Sequence, residues 1–403
     1  MKNLFLFLFG RFTSTVGNSI FNLAIPLLIL DKTSSGRAMG SFMGTTFLPA
    51  LLILPFVGLY IEKRNKKKIM IITDILQFTL FFALWYHYHS YGFSIGFLTL
   101  FISISKVIGR FFDISSVSIF PRIIDESLYG KGNSWQGILD NISELTSPIL
   151  GVFLYKTQGI ESIFLLNALT FLISAVSEIF LKYKNLESTQ NTVNRFSFSE
   201  YKDIFNLVKT QRFLKNSYLL LMIINFLMAP LAMTVIPFAL LKVINISEWQ
   251  YGVINFAEIF GLLIGSAIML KVSHSQKNIK LYYQGEIICI FIQGFIALFL
   301  GVIGKTYYFY IFLTLNFLAG SFNSLSLIPL STQLKSKVNP TLQGRFFASL
   351  SFFGGILVPF GNYLLGLLTV YVNTAILIIM VSSITLFLIG TLNFSEKLNK
   401  KIP

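Results

Sequence analysis

Apolar runs of roughly 20 residues or more recur along nearly the whole 403-residue chain, and each is long enough to cross about 30 Å of hydrocarbon as a helix. Hydrophobic residues make up 54% of the sequence and charged ones only 12%, against about 25% charged in a typical soluble domain. That balance excludes a soluble globule. The runs lack the alternation of barrel strands, and backbone groups left unpaired in lipid exclude irregular spans. The expectation is therefore an all-α polytopic membrane protein with twelve transmembrane helices, over 4–30, 39–61, 69–88, 93–119, 134–156, 160–181, 213–241, 250–270, 281–303, 306–333, 345–370 and 372–394. Pro26, Pro148, Pro237 and Pro359 are expected to kink their spans without ending them.

The net charge of +15 matters through its placement. With both termini on the cytoplasmic side, the inner segments carry 24 Lys and Arg residues and the outer loops five, Lys32, Arg37, Lys156, Lys242 and Lys305. This asymmetry predicts a multi-pass protein of the cell (inner) membrane with both termini inside. Its basic inner face would meet anionic membrane lipids, and no nucleic-acid partner is expected. The start, Met1 to Phe9, has the charged and apolar regions of a signal peptide, but the apolar stretch runs on to about Leu30 without a small-residue cleavage site, so it reads as a retained first helix. Trp85, Trp135 and Trp249 fall near span ends, where amphipathic rings anchor. The lone cysteine, Cys289, excludes an intrachain disulfide. No phosphate-binding loop is present, and neither an enzymatic activity, a metal nor a cofactor is expected.

The longest polar segment divides the chain into an N-terminal bundle (1–181), a linker (182–212), a C-terminal bundle (213–394) and a tail (395–403). Inside the linker, Ser197 and Glu200 have capping-box spacing, and Phe198, Tyr201, Phe205 and Val208 recur at helical intervals, as in an amphipathic helix at the membrane interface or a plain linker. The halves echo one another at Ser118-Ile-Phe-Pro121 with Gln136-Gly137, and at Ser326-Leu-Ile-Pro329 with Gln343-Gly344. Such pseudo-symmetric six-helix halves suit alternating access to a midplane site.

Between the second and third runs lies Gly58-Leu-Tyr-Ile-Glu62-Lys63-Arg64-Asn-Lys66-Lys67-Lys68, followed by Asp74. Five cations between two apolar runs mark a short inner loop. The pattern Gly-x-x-x-acid-base-x-x-base-base resembles the loop 2–3 signature of the major facilitator superfamily. From Gly10 and Gly17 to Gly344-Arg345, the chain is similar in layout to its drug:proton antiporter branch, which contains macrolide efflux pumps and siderophore exporters. Lys106 stands at the usual span-four base, and Ser147-Pro148-x-x-Gly151 is a reduced form of the antiporters' span-five motif. Glu62 and Lys63 replace the usual Asp and Arg. The resemblance implies that Gly58, Glu62, Lys63, Lys66, Lys67, Asp74 and Arg345 form a conformational switch, with Glu62 against the start of span eleven, where the helix dipole favours an anion.

Charged side chains within spans are costly unless paired or hydrated and are functional candidates. Acids outnumber bases: Asp74, Asp113, Asp140, Glu144, Glu258 and Glu286 against Arg11, Lys106 and Arg110. Lys106, Arg110 and Asp113 share a face of span four, and Asp140 and Glu144 lie at a comparable depth on span five. These five form either a proton-coupled charge relay or a permanent ion-pair network joining the two spans. Glu258, near the middle of span eight, awaits a base on another helix or contacts a proton or cationic substrate. Arg11 and Asn18 lie on the cavity-lining first helix of the family resembled; Arg11 can also snorkel to headgroups, and Asn18 can bond between helices. Gly261-x-x-x-Gly265 and Gly40-x-x-x-Gly44 read as close-packing seams, and His87-x-His89 as an interfacial feature. Most of the 43 phenylalanines are expected to face lipid or pack helices, while a subset in a cavity could accommodate an amphipathic small molecule. Together these features predict a monomeric secondary-active exporter of the drug, macrolide or siderophore class, exchanging substrate for protons by alternating access. A lysophospholipid or glycolipid translocase of the same fold is the alternative.

Overall fold

A computed structural model of the chain describes residues 2–62, 64–119, 123–124, 129–183, 198–269, 276–299, 304–338 and 340–392. These residues form helices and no strands. In order they are α1 (Lys2–Thr33), α2 (Gly36–Glu62), α3 (Lys66–Tyr91), α4 (Ile95–Ser118), α5 (Tyr129–Ile179), α6 (Phe198–Thr210), α7 (Arg212–Val243), α8 (Glu248–Met269), α9 (Gln276–Ala297), α10 (Lys305–Lys337), α11 (Pro340–Tyr371) and α12 (Thr374–Thr391). Ten are long and apolar enough to cross a membrane. Two more spans come from α5, which is two helices joined at Gly159, and from α9, 22 residues long. The protein is thus an all-α polytopic membrane protein with twelve spans.

Two boundaries differ from expectation for physical reasons. Spans five and six were expected to part at a loop, but only Gly159 leaves helical geometry, at φ 75°, a value open to glycine at no steric cost. The seventh span is not a regular α-helix. It passes through π-helical turns at Ile224–Met228, Leu231–Val235 and Ala239–Val243. Pro230 and Pro237 each lack an N–H and crowd the preceding turn, and the shifted ladder accommodates them. Pro26, Pro148 and Pro359 lie inside α1, α5 and α11, as expected.

Starts of several helices are fixed by short polar side chains. Asn65 caps α3 by accepting from the Lys68 N–H at 3.1 Å, and Asn373 caps α12 by accepting from the Ala375 N–H at 2.9 Å. The expected linker helix is present as α6, where Ile204 is buried and the Phe205 ring lies edge-on to Phe353 at 5.9 Å. Ser197, and the first Pro-containing echo at 118–121 apart from its first two residues, fall outside the described residues.

The chain divides into two units, residues 1–33 with 45–195, and residues 34–44 with 196–403. In the first, α1 packs along α5 and α5 along α3. Phe21, Phe81, Phe164 and Phe171 meet there in edge and stacked contacts. In the second, α10 is the central helix, packed by α8 and α9. Both glycine pairs are seams. A Cβ on Gly261 or Gly265 would come within 2.1 Å of the Phe317 carbonyl oxygen or 2.4 Å of that of Ser321, and one on Gly40 within 2.3 Å of that of Asn362. Backbone contact this close admits no side chain.

Candidate functional site

Around Arg11 in the first unit, charges of both signs are brought together. From α1, Arg11 donates through Nη1 to Ser116 Oγ of α4 at 2.8 Å and through Nη2 to Asp140 Oδ2 of α5 at 3.3 Å. With its amide oxygen turned toward the guanidinium, Gln136 accepts from Nε at 3.1 Å. On α4, Arg110 reaches Asp113 three residues on, at 3.5 Å. Lys106 points its ammonium at the face of Phe47 of α2, 3.2 Å from the ring centroid. Arg11, Arg110 and Asp140 all lie close enough for their charges to act on Asp113. Glu144 follows one turn after Asp140 and is exposed.

The cluster expected to join spans four and five is therefore built differently. Asp140 takes its cation from α1, because the span-four base Arg110 is drawn to Asp113 on its own helix while the long Arg11 fork reaches across. Arg11 does not snorkel; its side chain is 19% exposed and fully engaged. Asn18 accepts from Asn167 Nδ2 of α5 at 3.4 Å, the interhelical bond its position suggested. On the opposite end of this unit, His89 Nδ1 meets Glu161 Oε2 at 2.9 Å and His87 stacks on Phe97.

Only part of the basic loop is described. Lys63 lies outside the described residues, and so do the side chains of Glu62 and Arg345; Gly58 lies in the helical backbone of α2. Arg64 sits over the Tyr60 ring at 5.4 Å. Lys66 is buried at the start of α3. Lys67 donates to the carbonyls of Ile179 and Leu181, at 2.8 and 2.7 Å, and so caps the end of α5. Asp74 is buried two turns further along α3.

The second unit holds a different arrangement. Glu286 of α9 turns toward α10, and Glu258 of α8 lies near enough for its charge to act on Glu286. Asn323 of α10 donates through Nδ2 to Glu286 Oε1 at 3.0 Å, while Glu286 Oε2 is buried without a partner. Two turns further along α9, Gln293 is fully buried with both amide atoms unbonded. Gly320 lets α10 approach α8 so closely that a Cβ there would lie 2.0 Å from the Glu258 carbonyl oxygen. Among the described residues, the bases of this unit's spans sit at or near helix ends: Arg37 of α2, Arg212, Lys215 and Lys242 of α7, Lys280 of α9 and Lys337 of α10. Glu258 was expected to face a base or a ligand; its charged neighbour is a second acid.

The family model described as Major Facilitator Superfamily matches residues 7–361. The chain belongs to this superfamily. It is 24% identical over 355 residues to the uncharacterized transporter YkuC of Bacillus subtilis, covering 85% of this chain and 80% of that one. Macrolide efflux protein A of Streptococcus pyogenes is 19% identical, covering 87% and 85%, and the putative bacilysin exporter BacE of Bacillus subtilis is 23% identical, covering 91% and 95%. Among solved structures, a variant of the nucleoside transporter NupG superposes with a TM-score of 0.70 at 12% identity, covering 96% of this chain and 98% of that one. A bacterial homologue of the iron transporter ferroportin gives 0.68 at 15% identity, with 96% and 98% covered. These structures share the fold. The protein is a superfamily transporter and not an enzyme.

Three polar groups of the interior were not singled out from the superfamily pattern. Asn323 and Gln293 look unremarkable among apolar neighbours until their burial is known. Glu178, near the end of α5, is 1% exposed, and an acid inside an apolar run is a signal the sequence does carry.

Proposed function

We propose that this transporter is a secondary-active exporter of amphipathic small molecules of the drug, macrolide or siderophore class, working by alternating access and driven by protons moving inward. The observation that carries the coupling is the Glu258–Glu286 pair. Two carboxyls share the interior of the second unit, one oxygen is buried without a donor, and no base of the described spans faces them. Removing water from two anions costs several kcal/mol, which binding a proton or a cationic group offsets. The direction of transport is supported by similarity to macrolide efflux protein A and the bacilysin exporter. In the first unit, Arg11, Asp140, Arg110 and Asp113 serve as a charge relay that responds to the proton. The loop from Glu62 to Lys68 lies at the cytoplasmic face of the inner membrane with both termini, as the 24-to-five distribution of bases favours.

The test is accumulation of radiolabelled erythromycin in cells with and without the protein, with the proton gradient intact and collapsed. Lower accumulation that disappears on collapse is expected. Equal accumulation in all four conditions for erythromycin and for a panel of antibiotic peptides and siderophores, with altered lipid asymmetry between the leaflets, would instead mark a lipid translocase.

A further inference from the structure

A second acidic site lies apart from the one just described, where α1, α3 and the second arm of α5 meet beside the basic loop. Asp74 of α3 and Glu178 of α5 are each 1% exposed, and the two charges act on one another. Both Asp74 carboxyl oxygens and Glu178 Oε2 are buried without a hydrogen-bond partner. Ser174, one turn before Glu178 and 0% exposed, lies against Asp74 with its hydroxyl unbonded by normal geometry. Its Oγ is also the surface that α1 covers: a Cβ on Gly10 would stand 3.3 Å from it. α1 is also tied to the end of α5 by hydrogen bonds. Ser177 Oγ donates to the Leu6 carbonyl at 2.6 Å, and Asn3 donates to the Lys182 carbonyl at 2.8 Å.

The cation within reach is Lys67, whose charge acts on Glu178. Its ammonium is nevertheless committed to the carbonyls of Ile179 and Leu181. Other charged groups on these elements are Lys66 and Lys68 at the start of α3, Lys2 at the start of α1, Lys182 just after α5, Arg11 of α1, held by Ser116 and Asp140, and, on the neighbouring α4, Arg110, paired with Asp113. Two ionised carboxyls enclosed in this way would repel one another with three of their oxygens buried and unpartnered, at a cost of several kcal/mol. A single proton removes the conflict. It converts one carboxyl to an O–H donor and the other to its acceptor, and the proton then belongs to the pair.

We infer that Asp74, Glu178 and Ser174 form a proton-binding site in which the two carboxyls share one proton, clamping α3 to the end of α5 next to the basic loop. Loss of the proton to water leaves two anions beside Lys67. That ammonium then gains more from a carboxylate than from the α5 carbonyls, so the cap on α5 is released as the site empties. The inference does not depend on what the protein carries or on the Glu258–Glu286 pair.

Infrared spectroscopy separates a carboxylic acid from a carboxylate by its carbonyl stretch. The measurement uses the full-length protein in lipid bilayers at neutral pH, comparing wild type with Asp74→Asn, Glu178→Gln and the double variant. The expected difference between wild type and the double variant is the loss of one acid carbonyl band together with one carboxylate. Each single variant is expected to lose or shift that acid band, which keeps the test decisive if the double variant does not fold. Loss of carboxylate bands alone, in the single or the double variants, would show an ionised pair and overturn the inference. So would carboxylate bands that move when sodium chloride is exchanged for choline chloride at fixed pH, since the occupant would then be an alkali-metal ion.

Discussion

The interiors of the two units solve the same problem in opposite ways. In the first, the charges around Arg11 are matched: Arg11 spans α4 and α5, Arg110 holds Asp113 on its own helix, and Lys106 rests on an aromatic face. In the second, Glu258 and Glu286 stand together with an asparagine for company and a buried oxygen left over. A matched network can hold helices in place at any gradient. An unmatched acid pair needs something mobile to complete it, so we propose that the relay lies in the matched charges around Arg11 and the transport-coupled proton on Glu258 and Glu286, apart from the Asp74–Glu178 site near the basic loop.

The largest effect should fall on transport. Glu258→Gln or Glu286→Gln should cut gradient-driven erythromycin export on the order of tenfold or more, measured in everted vesicles. Asp140→Asn, which removes one member of a matched network, should cost less than either. Equal losses for all three would erase the contrast between the halves. The next effect is steric. Gly320→Ala drives a methyl into the Glu258 carbonyl, 2.0 Å away, and should lower stability by about 1–3 kcal/mol. Gly10→Ala meets its nearest atoms at 3.3 Å and should cost less. Thermal unfolding of the two purified variants compares the helix seams directly.

A double-mutant cycle on Arg11→Met and Asp140→Asn should return a coupling of about 0.5–2 kcal/mol, since both side chains are partly shielded. A coupling near zero would mean that the first unit is not held by its charges. Smallest is Lys106→Met, expected to cost about 0.5–1 kcal/mol through the lost cation–π contact with Phe47, read from the same unfolding curves.

Much of this was legible in the chain. Apolar run length alone fixes the span number, and Gly261, Gly265, Gly40 and Gly44 announced backbone seams because spacing by one helical turn puts two missing side chains on one face. The basic loop and the apolar echo of the halves pointed to the superfamily. The site was only half legible. Glu258 could be found as an acid in a run of apolar residues, but its pairing with Glu286 depends on how α8 and α9 both lean on α10, a long-range arrangement with no local pattern. The Arg11–Asp140 tie was hidden for the same reason: 129 residues separate its members, and the nearer base, Arg110, was the stronger candidate until its own i,i+3 partner was seen. Gly159 and the π turns of α7 escaped because a positive φ and a shifted ladder leave the hydropathy profile unchanged.

The claim that the second unit's acids carry the coupling proton is tested most directly by proton exchange on binding. Purified transporter in weakly buffered solution is mixed with erythromycin, and the pH change is recorded for wild type, the Glu258→Gln/Glu286→Gln double variant and Asp140→Asn. Proton release on binding by wild type and Asp140→Asn, abolished in the double variant, is the predicted result. Release that survives in the double variant and vanishes in Asp140→Asn would place the coupling proton in the first unit and contradict the account.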